Sequence, residues 1–255
     1  MIRFEGVTKS LGGRVILNDI DLEVKESETV FVVGFSGAGK SVTLRHMVRL
    51  LTPDQGRVMV GDACISDARG RKLELLRARF GYLFQGSALL EWLTAGENVA
   101  LPLRETLGMK PAPAEKLAFE TLARVNLEES FSKYPSELSG GMRKRVALAR
   151  AIVTSPDIIL YDEPTSGLDP VTARSIDALI SELKETLGVT SVVVTHDLHS
   201  ALSIGSRILM LDSGSIIEDA TPEDFVNSDN HHVRRFLDSQ YINRKGPWER
   251  KVSNG

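Results

Sequence analysis

Eight consecutive residues, Gly34-Phe35-Ser36-Gly37-Ala38-Gly39-Lys40-Ser41, carry the strongest chemical signal in the chain. The glycines let backbone N–H groups point into one concave nest, which suits an anion. A lysine and a hydroxyl follow at once, a cation for phosphate oxygens and a ligand for a hard metal ion. The run before the loop, Thr29-Val30-Phe31-Val32-Val33, is β-branched and aromatic and reads as a buried strand. After the loop Leu44, Met47, Val48 and Leu51 share one helical face. The loop therefore opens onto a helix N-terminus, whose partial positive charge also favours anions. Strand, glycine loop and helix make a phosphate-binding loop, in which Lys40 reaches the β- and γ-phosphates of a nucleotide and Ser41 binds Mg²⁺.

Two further runs carry chemistry. Ile158-Ile159-Leu160-Tyr161 is a buried strand that ends in Asp162 and Glu163. Two acids are what a phosphate loop needs at the tip of its neighbouring strand: Asp162 to hold Mg²⁺ and Glu163 to polarise the water that attacks the γ-phosphate. They repel one another, so a bound cation would relieve a real cost. The other run, Leu138-Ser139-Gly140-Gly141-Met142, opens a helix carrying Val146, Ala149, Ile152 and Val153. Ser-Gly-Gly at a helix N-terminus is a second anion site. Arg143, Lys144 and Arg145 put three cations into its first turn, against the helix dipole at a cost of roughly a few tenths of a kcal/mol each. A bound anion or acidic partners nearby would offset that conflict.

The elements that must position these residues follow in order. Residues 1–28 read as a small antiparallel layer: Ile2, Phe4 and Val7, a Gly12-Gly13 turn, then Ile16-Leu17 and the alternating Ile20, Leu22 and Val24. Pro53-Asp54-Gln55-Gly56 is a turn, and Arg57 to Gly61 a strand. Arg69 to Arg79 is helical, and Phe80 to Gln85 is a strand. Residues 87–155 read as an inserted, mostly helical subdomain. In it Glu97 to Leu103 forms a short helix ended by proline, and Pro111-Ala112-Pro113 is a linker. From Pro156 short apolar strands alternate with helices: strands at 158–161, 190–194, 207–211 and 215–218, helices at 170–187 and 198–204, and a last helical region from Pro222 to Leu237. That rhythm implies a mostly parallel sheet covered on both faces.

With 255 residues the chain can bury one substantial core. A net charge of −3 gives no basic field for nucleic acid, so no nucleic-acid partner is expected. One cysteine, Cys64, permits no internal disulfide, which suits a reducing compartment, and it reads as a packed thiol. No apolar run approaches the roughly 20 residues that span a bilayer.

The set and its order resemble an ATP-binding cassette (ABC) ATPase: the phosphate loop, Gln85, Leu-Ser-Gly-Gly, the Asp162-Glu163 strand, Ser166-Gly167-Leu168-Asp169 and Thr195-His196-Asp197. The resemblance covers residues 1–237. It implies a P-loop α/β cassette at 1–240, with a mostly parallel core sheet, an N-terminal antiparallel layer and an inserted helical subdomain, followed by a tail at 241–255. It also implies a head-to-tail dimer holding ATP and Mg²⁺ between its subunits. Ser139, Gly140 and Gly141 of one copy would cap the γ-phosphate held at Lys40 of the other. Gln85 would touch Mg²⁺ and water, His196 the γ-phosphate, and Asp169 would lie at the dimer interface. An integral membrane permease is the expected partner, with the chain peripheral on the cytoplasmic face of the inner membrane. His46, His199, His231 and His232 read as surface or packing residues.

Three positions depart from the family pattern. Leu11 stands where an aromatic residue usually stacks on adenine, leaving the base on Leu11 and Ile16. Val42 replaces a hydroxyl residue for the α-phosphate, and only its N–H can serve. Met142 replaces glutamine. Gly39-Lys40-Ser41-Val42, Leu83 to Leu89 and Leu138 to Met142 are similar to the Mla (maintenance of lipid asymmetry) ATPases. That implies phospholipid or other hydrophobic-substrate transport, with an MCE-type lipid-binding protein and a small STAS-domain protein as partners. The alternative is an amino-acid or other polar-solute importer, since substrate choice lies in the permease. A non-transport cassette and a small-molecule kinase fit less well. In the tail, Arg244, Lys245, Arg250 and Lys251 stand against Glu249, a solvated end or a contact for anionic lipid.

Overall fold

The computed structural model describes residues 1–242. β1 (Ile2–Leu11) and β2 (Arg14–Val24) form an antiparallel hairpin across Gly12-Gly13. β3 (Thr29–Val33) then enters a second sheet and leads into α1 (Lys40–Met47). β4 (Gln55–Val60) and β5 (Ala63–Cys64) return to the first layer, which has the order β2-β1-β4-β5. After α2 (Gly70–Arg77) and β6 (Phe80–Leu83) come α3 (Ala95–Glu105), α4 (Pro111–Arg124) and α5 (Gly140–Ile152). The α/β alternation resumes with β7 (Ile158–Asp162), α6 (Pro170–Leu187), β8 (Thr190–Val194), α7 (Leu198–Ile204) and β9 (Arg207–Asp212). β10 (Ser215–Ala220), α8 (Pro222–Asn227) and α9 (His231–Ser239) complete the described chain.

The second sheet runs β10-β9-β3-β8-β7-β6, with only β10 antiparallel to its neighbour. Alternation along β3 divides the core. Val30 and Val32 face α1 and the antiparallel layer, whereas Phe31 and Val33 face the helices α3 to α9. Both faces are thus covered, as an interior parallel sheet requires.

Several sequence expectations need correction. β8 lies between β3 and β7, so the strand bearing the two acids is next but one to the glycine-loop strand, not its neighbour. α1 packs across β8 and β7 and closes that distance. Pro102 sits inside α3 and does not end it. The helix is anchored by the Thr94–Glu97 capping box and by complete burial of Val99, Ala100 and Leu103. Such burial, at about 1.5–3 kcal/mol for a Val or Leu side chain, offsets one lost backbone bond. Pro111 and Pro113 belong to the first turn of α4, where a missing N–H costs nothing, so the connection between the helices is 106–110 and not 111–113. The region from Pro222 to Leu237 is helical as expected, in two helices, because Asn230 caps a fresh start by accepting from the His232 N–H at 3.0 Å. Cys64 is only half-buried, and its thiol donates to Asp67 at 3.2 Å. Of the basic tail, residues 243–255 lie outside the described residues.

Candidate functional site

Four adjacent parallel strands, β3, β8, β7 and β6, end at one edge of the sheet. Open α/β sheets bind ligands at that carboxyl edge. The glycine loop leaves β3, His196 follows β8, Asp162 and Glu163 end the β7 strand region, and Gln85 follows β6. A cleft of 330 Å³ gathers Leu11, Ile16, Ser36, Gly37, Gly39, Lys40, Ser41, Val42, Gln85 and Glu163. Gly39 caps α1 at φ 105, and a Cβ there would lie 2.8 Å from Leu17 Cδ2 and 2.9 Å from the Ile16 carbonyl. Only glycine fits between loop and hairpin.

Lys40 is buried and donates to the carbonyls of Gly34 and Phe35 at 2.8 and 3.1 Å. Burial pulls its pKa below the ordinary 10.5, against the raising pull of Glu163 and Asp162. Ser41 Oγ donates to Asp162 Oδ1 at 2.7 Å. A hydroxyl and a carboxylate held side by side at a phosphate loop are hard oxygen donors, and this set fits Mg²⁺. Gln85, on the same cleft, is exposed and could add an amide oxygen.

Glu163 is buried, with Oε2 at 2.8 Å from His196 Nδ1. Its φ is 51, a left-handed backbone that costs a non-glycine residue on the order of 1–3 kcal/mol. The Glu163 N–H donates to Val194 at 2.9 Å, and its carbonyl accepts from Lys144 at 3.0 Å. Tyr82 lies against Asp162, and burial followed by that charge pushes its phenol far up.

The remaining candidates lie apart from the cleft. Gly34 is buried against the Leu211 carbonyl, and Ala38 is buried too. Phe35 turns away to meet Phe236 edge-on at 5.0 Å, with the Arg235 guanidinium 5.6 Å from its ring centre. Ser139 caps α5 by accepting from the Met142 N–H at 3.3 Å. Ser139 and Gly141 line a different cleft of 470 Å³ with Thr172 and Arg145. A Cβ on Gly141 would strike Thr172 Cγ2 at 2.5 Å, so packing of α5 on α6 requires that glycine. Gly140 is different: its nearest neighbour, Leu168 Cδ2, is 3.5 Å from such a Cβ, so this chain's own packing leaves room there. Asp169 caps α6, with Oδ1 accepting from the N–H groups of Val171 and Thr172 at 3.0 Å each.

Each of the three cations at the start of α5 finds main-chain carbonyl acceptors. Arg143 donates to the Leu138 carbonyl at 2.6 Å, Arg145 to the Val125 carbonyl at 3.0 Å, and Lys144 to the carbonyls of Gln85 and Glu163. Sequence reasoning missed Lys144 as part of the site, although the unexplained charge was its signal. It also missed Gln240, whose amide donates to the His196 carbonyl at 2.6 Å and accepts from the Leu198 N–H at 3.1 Å. Nothing local marks Gln240.

The ABC transporter family model matches residues 17–166. The chain is 39% identical over 242 residues to the methionine import ATP-binding protein MetN of Xanthomonas euvesicatoria pv. vesicatoria, covering 93% of this chain and 72% of the relative. It is 37% identical over 250 residues to the probable ribonucleotide transport ATP-binding protein mkl of Mycobacterium tuberculosis, covering 98% of this chain and 70% of the relative. A solved dimeric post-hydrolysis state of the ATP-binding cassette MJ0796, bound to ADP and Pi, superposes with a TM-score of 0.80 at 37% identity, over 87% of this chain and 99% of the other. The chain belongs to the ABC transporter family. Within it, this is an ATP-binding, ATP-hydrolysing transporter subunit of the cassette fold. No helix among the described residues is long and apolar enough to cross a membrane.

Proposed function

We propose that this cassette powers uptake of a small polar solute of the amino-acid class. In this reading residues 1–240 act as one nucleotide-binding unit, with 87–155 as its helical arm, on the cytoplasmic side of an inner-membrane permease. The observation that carries the chemistry is the convergence of Lys40, the Ser41–Asp162 pair and the Glu163–His196 pair at one sheet edge. Lys40 and the loop N–H groups would hold the phosphates, and Leu11 and Ile16 the adenine. Ser41, Asp162 and Gln85 would hold Mg²⁺, which would supply positive charge against the phosphates. Glu163 would take the proton of the attacking water, oriented by His196. Ser139 and Gly140, left open by their own chain, would meet the γ-phosphate bound by a second copy. Asp169 would lie beside that contact. The dimeric MJ0796 cassette supports this arrangement.

The solute class is supported by relatives named for methionine import over more than nine-tenths of this chain. The lipid reading, with MCE-type and STAS-domain partners, is a second reading that rests on the motif likeness to the Mla ATPases. Two residues of that likeness, Val42 and Met142, are partly buried against this chain's own core. Affinity purification from detergent-solubilised membranes separates the two readings by the partners recovered. A permease with a solute-binding partner is expected. Recovery of a permease with an MCE-type protein and bound phospholipid would transfer the substrate to the lipid class.

A further inference from the structure

Lys144 stands five residues after Ser139 on α5, and its side chain turns inward. The residue is 5% exposed, and its Nζ donates to the Gln85 carbonyl at 2.5 Å and the Glu163 carbonyl at 3.0 Å. These acceptors lie on two other elements, the loop after β6 and the end of β7. Burying an ammonium to reach neutral carbonyls is costly. Burial accordingly pulls the Lys144 pKa down, and the carboxylates of Glu163 and Asp162 oppose that shift.

Both acceptors sit in backbone that needs outside support. Glu163 is at φ 51, and Ser87 and Ala88, just after Gln85, are at φ 63 and 49. The Arg150 guanidinium, two turns further along α5, donates to the carbonyls of Ser87 and Ala88 at 2.7 Å each. One helix therefore holds the loop after β6 by two cations, and the first of them also holds Glu163. Ser139 caps the same end of that helix, so a ligand engaging Ser139 acts on the turn that carries Lys144.

We propose that Lys144 is a positioning residue for ATP hydrolysis, tying the Gln85 and Glu163 main chains together so that the Glu163 carboxylate is aimed only while the loop after β6 is seated on α5. This deepens the function proposed above and rests on Glu163 being the catalytic carboxylate. Lys144 touches no nucleotide; it acts through two carbonyls. Displacement of the Gln85 loop is thereby passed to Glu163 without a rearrangement of the phosphate loop.

The test compares full-length wild type, Lys144→Met and Lys144→Gln for ATP affinity by calorimetry, kcat, KM and thermal midpoint. Lys144→Met removes the donors at similar volume. It should keep the ATP Kd within threefold and lose at least tenfold in kcat. Lys144→Gln keeps N–H donors without the charge and should retain at least a third of wild-type kcat. A Met variant with kcat within twofold of wild type overturns the proposal. So does a parallel loss of kcat and ATP affinity in both variants, which is the mark of a merely structural lysine. Should Lys144→Met fail to fold, the Gln variant decides by the same one-third threshold. Glu163→Gln, assayed alongside, separates the premise: normal turnover there removes the catalytic carboxylate whatever Lys144 does.

Discussion

At Glu163 the carboxylate meets His196 Nδ1 while the main chain is held left-handed by Val194 and Lys144. A side chain written plainly in the sequence thus takes its aim from residues that are not. His46 is a simpler case on the helix of the phosphate loop. It is buried, with Nδ1 2.7 Å from the Val42 carbonyl. Burial lowers its pKa below 6.5 and Lys9 reinforces this, while bonds to the Val42 and Thr52 main chain and the charge of Asp54 oppose it. The unfolded chain then binds the extra proton first. Stability should fall as pH drops below 6.5 toward the depressed folded value, by at most about 1.4 kcal/mol per pH unit for one proton. Denaturant titrations at pH 7.5 and 5.5 should show a smaller drop for His46→Gln than for wild type. Equal drops would place the acid sensitivity elsewhere.

At the scale of elements, legibility followed range. The Gly12-Gly13 hairpin, the glycine loop and α6, closed by Gly188 at φ 64, were readable because their signals are local. The insertion of β8 between β3 and β7, the persistence of α3 through Pro102 and the clamps from α5 were not. Each depends on contacts that cross long stretches of chain, 59 residues from Gln85 to Lys144. α9 shows the same limit. Its Phe236 and Arg235 pack on Phe35 of the phosphate loop, and Gln240 just beyond it holds the His196 carbonyl, 44 residues away. The Leu198 N–H opens α7 and has no partner within its own helix, so Gln240 supplies one. Gln240→Ala should cost about 1 kcal/mol of stability from the lost bonds. It should also lower kcat several-fold with ATP affinity nearly unchanged, since His196 loses its rear support while the phosphate loop does not. Thermal melts and steady-state ATPase assays check both, and an unchanged kcat would reduce α9 to packing alone.

At the scale of the molecule, two anion-ready surfaces lie in different clefts of one chain. One holds Lys40 and Glu163; the other holds Ser139 and Gly141, with Gly140 sterically open beside them. A single copy does not bring them together; in the proposed head-to-tail pair each nucleotide would be shared between one copy's Lys40 cleft and the other's Ser139. The sequence carried both surfaces clearly, because glycine and serine at loop-to-helix junctions are strong local marks. The transported substrate left no such mark, as the proposed function expects of a molecule handled by a separate permease. One measurement separates a shared nucleotide site from two independent ones: sedimentation of Glu163→Gln with and without ATP and Mg²⁺, with turnover measured in parallel. Expected is an ATP-dependent shift to dimer and a turnover reduced by about 10²- to 10⁴-fold, the usual worth of a general base. A variant that shows no such shift at saturating ATP, or that turns over like wild type, contradicts the shared site with Glu163 as its catalytic carboxylate.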